Sequence, residues 1–121
     1  MGFTFADTTT QVEIEGKAYT IDVGNSVIQD RLLEAANVAV AFDPSEAGEG
    51  ATVAASEKLR GVIAAILGEE QAAEVFADRP PNLMHEVQLV LYLRQAMDES
   101  EPAKRFEATL AACDAVIGAD D

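Results

Sequence analysis

The stretch Asn82–Met97 (NLMHEVQLVLYLRQAM) restricts the fold more than any other part of the chain. At about 100° per residue, apolar side chains cover more than half of a helix circumference there. One continuous face holds Leu83, Met84, Val87, Val90, Leu91 and Met97, and Leu89, Leu93 and Ala96 widen it. A surface helix usually shows a narrower apolar stripe. We therefore expect neighbouring elements to cover this helix on two sides.

A β-hairpin is predicted near the N-terminus. In Gln11–Val23 (QVEIEGKAYTIDV), apolar and polar residues alternate on both sides of a turn at Glu15-Gly16-Lys17. Alternation around a glycine turn is typical of two antiparallel strands. Because an isolated hairpin is marginally stable in water, its apolar face must lie on helices.

Four further helices are predicted from apolar periodicity, caps and breakers. They run from Ser26 to about Phe42, Val53 to Leu67, Glu69 to about Ala77, and Ala103 to Ile117. Asn25-Ser26 offers an N-cap, and Ser26 with Gln29 forms a capping-box pattern. Gly68 and the Pro80-Pro81 pair interrupt the helical pattern, and Asn82 is placed to cap the helix that follows.

The expected fold class is mainly α (α+β), with an N-terminal β-hairpin packed on a bundle of about four to five helices. Residues 1–10 are predicted to be a flexible N-terminus, and residues 11–98 the hairpin and helical core. Residues 99–121 form a C-terminal helix and acidic tail. Whether this last segment docks on the core or moves freely stays open.

The first predicted helix carries a second apolar strip, formed by Leu33, Ala36 and Val40. We expect this strip to pack under the hairpin, because apolar residues are more often buried than exposed. The alternative is a contact surface for a partner.

The chain is strongly acidic, with 22 acidic and 8 basic residues and a net charge of −14. Binding to nucleic-acid phosphates requires clustered Lys and Arg, so nucleic acid is not an expected partner. An anionic membrane surface would repel the chain, and no apolar run is long enough to span a membrane. The charge favours solubility and a basic or strongly hydrophobic protein partner. The expected compartment is the cytoplasm.

No residue pattern indicates an enzyme, a cofactor or a metal site. His85 has no positioned nucleophile or orienting group beside it, and Cys113 is expected to be a packed, inert thiol. The acidic loop 43–51 lacks the alternating oxygen ligands of a calcium loop. Gly48-Glu49-Gly50 follows no strand and has no lysine after it, unlike a phosphate loop.

The last predicted helix has a narrow apolar seam, in which Phe106, Leu110, Cys113 and Ile117 recur at i, i+4, i+7 and i+11. A seam of this width needs one neighbour, either the rest of the domain or another chain. Arg94 falls inside the apolar arc of the preceding helix. It is expected to extend outward past the C-terminal turn, or else to mark a docking surface, where arginine is enriched. These five residues are the predicted protein-binding residues.

The order of the elements resembles the tail assembly chaperones of long non-contractile-tailed phages and prophages. The residues that carry the resemblance are the hairpin VEIEGKAYTIDV, the segment GEEQAAEVF at Gly68–Phe76, the break after it, and the helix from Asn82. The similarity covers Val12–Met97 and consists of short, non-catalytic motifs. The double proline and the alanine-rich helix after Glu101 depart from the family pattern.

The resemblance implies binding to a tape measure protein in the cytoplasm of a bacterial host cell. Such a chaperone would keep this long helical protein soluble until the tail tube assembles around it. A virion structural protein, such as a head–tail connector or tail completion protein, is the alternative, in which the Leu33/Val40 strip supports a homo-oligomeric ring. The −14 charge also raises an acidic DNA-mimic inhibitor as a third hypothesis.

Overall fold

The computed structural model describes residues 2–118 and contains a two-stranded antiparallel sheet followed by five helices. The elements are β1 (Thr9–Ile14), β2 (Lys17–Asp22), α1 (Ser26–Ala41), α2 (Ala51–Leu67), α3 (Glu69–Val75), α4 (Leu83–Asp98) and α5 (Glu101–Gly118). The predicted fold class, mainly α with an N-terminal hairpin, is confirmed. Met1 of the predicted flexible N-terminus and the acidic tail at 119–121 lie outside the described residues.

The predicted hairpin is present, with a turn of two residues, Glu15 and Gly16; Lys17, which the sequence placed in the turn, is the first residue of β2. Glu15 and Gly16 both have positive φ, 52° and 77°, which is the backbone that matches the twist of the flanking strands. Val12 pairs with Tyr19, and both side chains are buried together with Ile21. One face of the hairpin is therefore part of the core.

The outer edges of the hairpin are occupied by side chains from two helices. Gln71 of α3 accepts a hydrogen bond from the Thr20 N–H (3.1 Å) and donates one to the Thr20 carbonyl (2.9 Å). On the other strand, the Glu13 N–H donates to the Tyr92 hydroxyl of α4 at 2.9 Å. Backbone groups on a sheet edge would otherwise be open to pairing with another strand. These contacts hold the hairpin in place on the helices.

Helix α2 is the centre of the domain. It contacts α1, α3, α4 and β2. Its buried residues are Ser56, Leu59, Val62, Ile63, Ile66 and Leu67. A run of aliphatic side chains this wide must be covered on several sides, because each exposed one would forgo about 1.5–3 kcal/mol of burial. Sequence reasoning instead placed α4 at the centre.

The expectation that neighbouring elements cover the wide apolar arc of α4 holds for only part of that arc. Its buried face consists of Glu86, Val90, Leu93 and Met97. The apolar side chains on the next part of the circumference, Met84, Val87 and Leu91, are exposed. The elements that contact α4, which are α1, α2, β1 and α5, leave these three side chains uncovered.

The second strip of α1 also differs from its predicted packing. Leu33 and Val40 are exposed, at 56% and 85%, and do not lie under the hairpin. The hairpin packs toward α2, α4 and α5 instead. At the start of the same helix the N-cap predicted at Asn25-Ser26 is confirmed. The capping residue is Asn25, whose side chain accepts from the Val27 and Ile28 N–H groups, so the predicted capping box of Ser26 and Gln29 is wrong.

A single glycine joins α2 and α3. Gly68 has φ 88° and ψ 149°, a conformation that is restricted to glycine. Its N–H donates to the Ala64 carbonyl (2.8 Å), and its carbonyl accepts from the Ala72 N–H (3.0 Å). The break predicted at Gly68 is confirmed, and this joint sets the direction in which α3 leaves α2.

Candidate protein-binding surface

Helix α5 is attached to the core through its first turn. Ser100, which is buried, donates from its hydroxyl to the Met97 carbonyl (2.6 Å) and accepts from the Ala103 N–H (3.3 Å). Pro102 is buried beside it. The same serine thus ends α4 and caps α5, which fixes the base of α5 on the body of the domain.

Beyond this turn, every described residue of α5 from 104 to 118 is exposed. The four predicted seam residues are all among them, and Phe106, Leu110 and Ile117 are 58%, 52% and 71% exposed. Val116 is exposed to a similar extent. The helix therefore presents an apolar line that its own domain does not cover.

Cys113 lies on this exposed line. The expectation of a packed, inert thiol is wrong, because it assumed that the seam docks on the core. An accessible thiol at this position is open to labelling, and it reports directly on whether the seam becomes covered.

A cleft of about 690 Å³ lies where α5 meets the rest of the domain. Its walls come from the end of the hairpin, the first half of α1, and the joint between α4 and α5. Its apolar lining includes Val23, Leu32, Leu33, Met97, Pro102, Ala103 and Phe106. The seam of α5 and the second strip of α1, which the sequence treats separately, thus meet at one cleft.

A second groove adjoins the cleft. It shares Asp30 and Leu33 with the cleft and extends along α1 to Ala41. Its lining is mostly polar and charged, and of the second strip of α1 it includes only Leu33.

Arg94 lies at the wall of the cleft, on α4. Its side chain is exposed and its Nε donates to the Asp98 Oδ2 at 3.0 Å, one turn later on the same helix. The structure therefore brings Arg94 and Phe106 to the same cleft, while Leu110, Cys113 and Ile117 follow farther along α5. The charge of Arg94 is already balanced by Asp98.

A buried polar network between α2 and α4 was missed by sequence reasoning. The Glu86 side chain is 1% exposed. It accepts from the Ser56 hydroxyl, which is also buried, and from the Asn82 N–H (3.1 Å). The Arg60 guanidinium lies 3.6 Å from the Glu86 Oε2. Glu86 thus has a partner for each of its oxygens.

Arg60 connects this network to the loop before α4. Its guanidinium donates to the Arg79 carbonyl (3.1 Å) and the Pro80 carbonyl (2.7 Å), and lies over the Phe76 ring. These two carbonyls lie in a segment that forms no helix or strand, and the Arg60 side chain supplies their hydrogen-bond donors. The signal in the sequence was Ser56 within the α2 stripe and Glu86 one turn before Val90. This arrangement supports the fold and holds no open position for a substrate.

Two exposed carboxyl groups have lowered pKa values, and both lie in local turns. The Thr9 N–H and hydroxyl donate to Asp7 and hold the pKa of that carboxyl below its ordinary value. The Ser45 hydroxyl and N–H do the same for the pKa of Asp43. Hydrogen bonds of this kind stabilise the ionised carboxylate and hold the local turn together.

The described part of the chain brings no catalytic set together. His85 is exposed on α4. Between residues 2 and 118, no three His, Cys, Asp or Glu side chains are grouped to hold a metal ion. Of the helices in that range, none is both long enough and apolar enough to cross a membrane. What the arrangement presents is an apolar contact surface.

Comparison of the chain with protein-family models, with curated proteins and with solved structures gave no match in any of the three.

Proposed function

We propose that this chain is an escort of the tail assembly chaperone type, which binds a helical tape measure protein and keeps it soluble before the tail tube assembles. The single observation that carries the proposal is the exposed apolar seam of α5. A long helical client can lay the apolar face of one of its helices on such a seam.

The charge of the chain supports the same role. With a net charge of −14, copies of the chain repel one another and stay dispersed. A complex of client and chain would also carry this negative charge. The complexes would repel one another, which would keep the uncovered apolar surfaces of different client molecules apart. The resemblance in element order over Val12–Met97 supplies the identity of the client.

The test is co-expression with a tape measure protein of a long non-contractile-tailed phage, and we expect a gene for such a very long helical protein beside the gene for this chain. We expect the client to move from the insoluble to the soluble fraction and to co-purify with this chain. Phe106→Ser with Leu110→Ser should abolish the effect, because it places hydroxyls on the seam. The matched control, Ala108→Ser with Ala115→Ser, changes exposed residues on the opposite side of α5 and should retain it. A client that is equally insoluble with and without this chain would contradict the proposal.

A virion structural role is the second candidate, and the exposed Leu33 and Val40 of α1 favour it. An apolar strip on the surface suits a ring contact between copies. A ring in light scattering, together with recovery of the chain from purified particles, would support this role over that of an escort. An escort would be absent from the finished particle.

A further inference from the structure

We infer that the segment seated on α5 is an amphipathic helix with basic residues along one edge of its apolar stripe. This inference rests on the proposed function and adds the chemistry of the client. It follows from the distribution of charge around α5 and the cleft.

The seam of α5 has carboxylates along one edge and none along the other. At about 100° per residue, Glu107 and Asp114 project on the same side, each directly after a seam residue. The other edge carries Thr109 and Val116, with Arg105 at its N-terminal end. A helix lying on the seam would thus meet carboxylates along one side only.

The cations of α5 lie away from the acidic edge and already have partners. Arg105 donates from its Nη2 to the Asp7 carbonyl at 2.7 Å. Lys104 lies 3.7 Å from a Glu101 carboxylate oxygen. Neither lies on the edge that carries Glu107 and Asp114, so a client meets only carboxylates along that edge.

Most of the carboxylates that face the site have no ion-pair partner. Within residues 2–118, no ion pair involves Asp30, Glu107 or Asp114, whereas Asp98 pairs with Arg94. Asp30 of α1 and Glu107 of α5 both line the cleft. Acidic groups flanking an apolar surface select partners with complementary charge.

A second copy of this chain fits the seam poorly. The seam spacing is symmetric about the midpoint between Leu110 and Cys113, so two α5 helices would pair antiparallel around that point. This pairing places Glu107 of one copy beside Asp114 of the other, twice. Like charges at the edge of a helix pair oppose association, and each copy already carries −14. A basic edge on a different chain removes this repulsion.

The seam also sets a minimum length for the client helix. From Phe106 to Ile117 an α-helix rises about 16 Å, so about three turns of a client are needed to cover it.

Two synthetic 21-residue peptides test the inference with the full chain. Both carry the same leucine stripe at heptad spacing, and the positions that flank the stripe are lysine in one and glutamate in the other. Binding is measured by fluorescence anisotropy at about 0.05 M and about 0.5 M salt. At low salt we expect the lysine peptide to bind at least about tenfold more tightly, a difference of about 1.4 kcal/mol. High salt should reduce this preference.

Substitutions on α5 locate the effect. Glu107→Gln with Asp114→Asn should reduce the preference to about threefold or less, and Glu107→Lys with Asp114→Lys should reverse it. The matched control, Glu57→Gln with Glu99→Gln, removes two exposed carboxylates elsewhere and should leave the preference unchanged. Phe106→Ser with Leu110→Ser should weaken binding of both peptides.

Equal affinity for the two peptides would overturn the inference, while the escort role would stand if co-expression still solubilised the client. Loss of the preference in the Glu57/Glu99 control would also overturn it, since the attraction would then be non-specific. A stable dimer that Leu110→Ser dissociates would identify a second copy as the occupant and overturn the inference. If neither peptide bound and co-expression also failed, the escort proposal itself would be wrong.

Discussion

Replacing Glu86 by alanine removes the acceptor at the centre of the buried contact between α2 and α4. In the native structure this carboxylate accepts from the Ser56 hydroxyl and the Asn82 N–H, and it lies 3.6 Å from the Arg60 guanidinium. The variant leaves these donors in place without their acceptor. We expect it to destabilise the fold strongly.

The magnitude follows from the burial of each donor. The Ser56 residue is 1% exposed, and a buried donor without a partner costs about 1–3 kcal/mol. The Asn82 N–H is part-buried and adds less, because water can reach it. The Arg60 side chain is 21% exposed and still donates to the Arg79 and Pro80 carbonyls in the variant. Losing its ion pair with Glu86 therefore also costs little. We expect a total of about 3 kcal/mol, near the lower end of the range for breaking a buried ion pair.

Urea unfolding followed by far-ultraviolet circular dichroism measures this loss. With a slope of about 1.5 kcal/mol per molar urea, about 3 kcal/mol moves the midpoint down by about 2 M. The matched control is Glu57→Ala, an exposed glutamate of α2, which should change the free energy of unfolding by no more than about 0.5 kcal/mol.

A double variant separates the free-energy cost of the unpaired donor from the cost of the lost side-chain volume. Ser56→Ala with Glu86→Leu replaces both buried partners by apolar groups and should recover most of the stability, because no buried hydroxyl is left without an acceptor. An alanine variant at Glu86 with an unchanged urea midpoint would refute the reasoning. So would a double variant that is less stable than Glu86→Ala alone.

Three further outcomes are expected from other parts of the molecule. Phe106→Ser with Leu110→Ser should leave the melting temperature within about 2 °C of the native value, because both side chains are exposed; a larger fall would mean that the seam is covered. Gly68→Ala should cost about 1–3 kcal/mol in urea unfolding, because φ there is 88°; unchanged stability would contradict the strain. Asp7→Asn removes a carboxyl whose folded pKa is lowered by Thr9, so the stability it contributes should be present above about pH 4 and be lost as the pH falls through the folded pKa. Urea midpoints of both proteins at several pH values check this, and a gap that widens on acidification would contradict it.

Local features of the chain predicted most of the secondary structure. The turn at Glu15-Gly16, the cap at Asn82 and the break at Gly68 act within a few residues, so their effect is readable without knowing the rest of the fold. The exception at Ser26 has a local cause too, since Asn25 competes for the same N–H groups and accepts them instead.

Packing partners were predicted less well, for a reason that the α4 helix shows. Periodicity finds an apolar arc around Val90 and Leu91, yet only Val90 is buried. The limited number of neighbours decides which part of a wide arc is covered. Glu86 shows the converse, since its partner Ser56 is 30 residues away and cannot be inferred from spacing.

The candidate site also has one feature that the sequence predicts and others that it does not. The seam of α5 is visible in the sequence because Phe106, Leu110, Cys113 and Ile117 share one helical face. The exposure of the seam could not be predicted from the sequence, because a narrow apolar stripe is equally compatible with a docked helix and with a projecting one. The cleft with Leu33 was also not visible, since its walls come from separate elements.

The amino-acid sequence by itself determined the hairpin, the approximate bounds of the helices and the strong negative charge, because turn chemistry, helix capping and composition act locally or simply add up. Tertiary structure decided which apolar strips are buried, placed Glu86 within the core, and brought the base of α5 and the start of α1 to the same cleft. Those outcomes depend on how a few elements share a limited core, and α2 takes most of it. The apolar side chains that the core does not accommodate remain exposed on α5 and on one strip of α1.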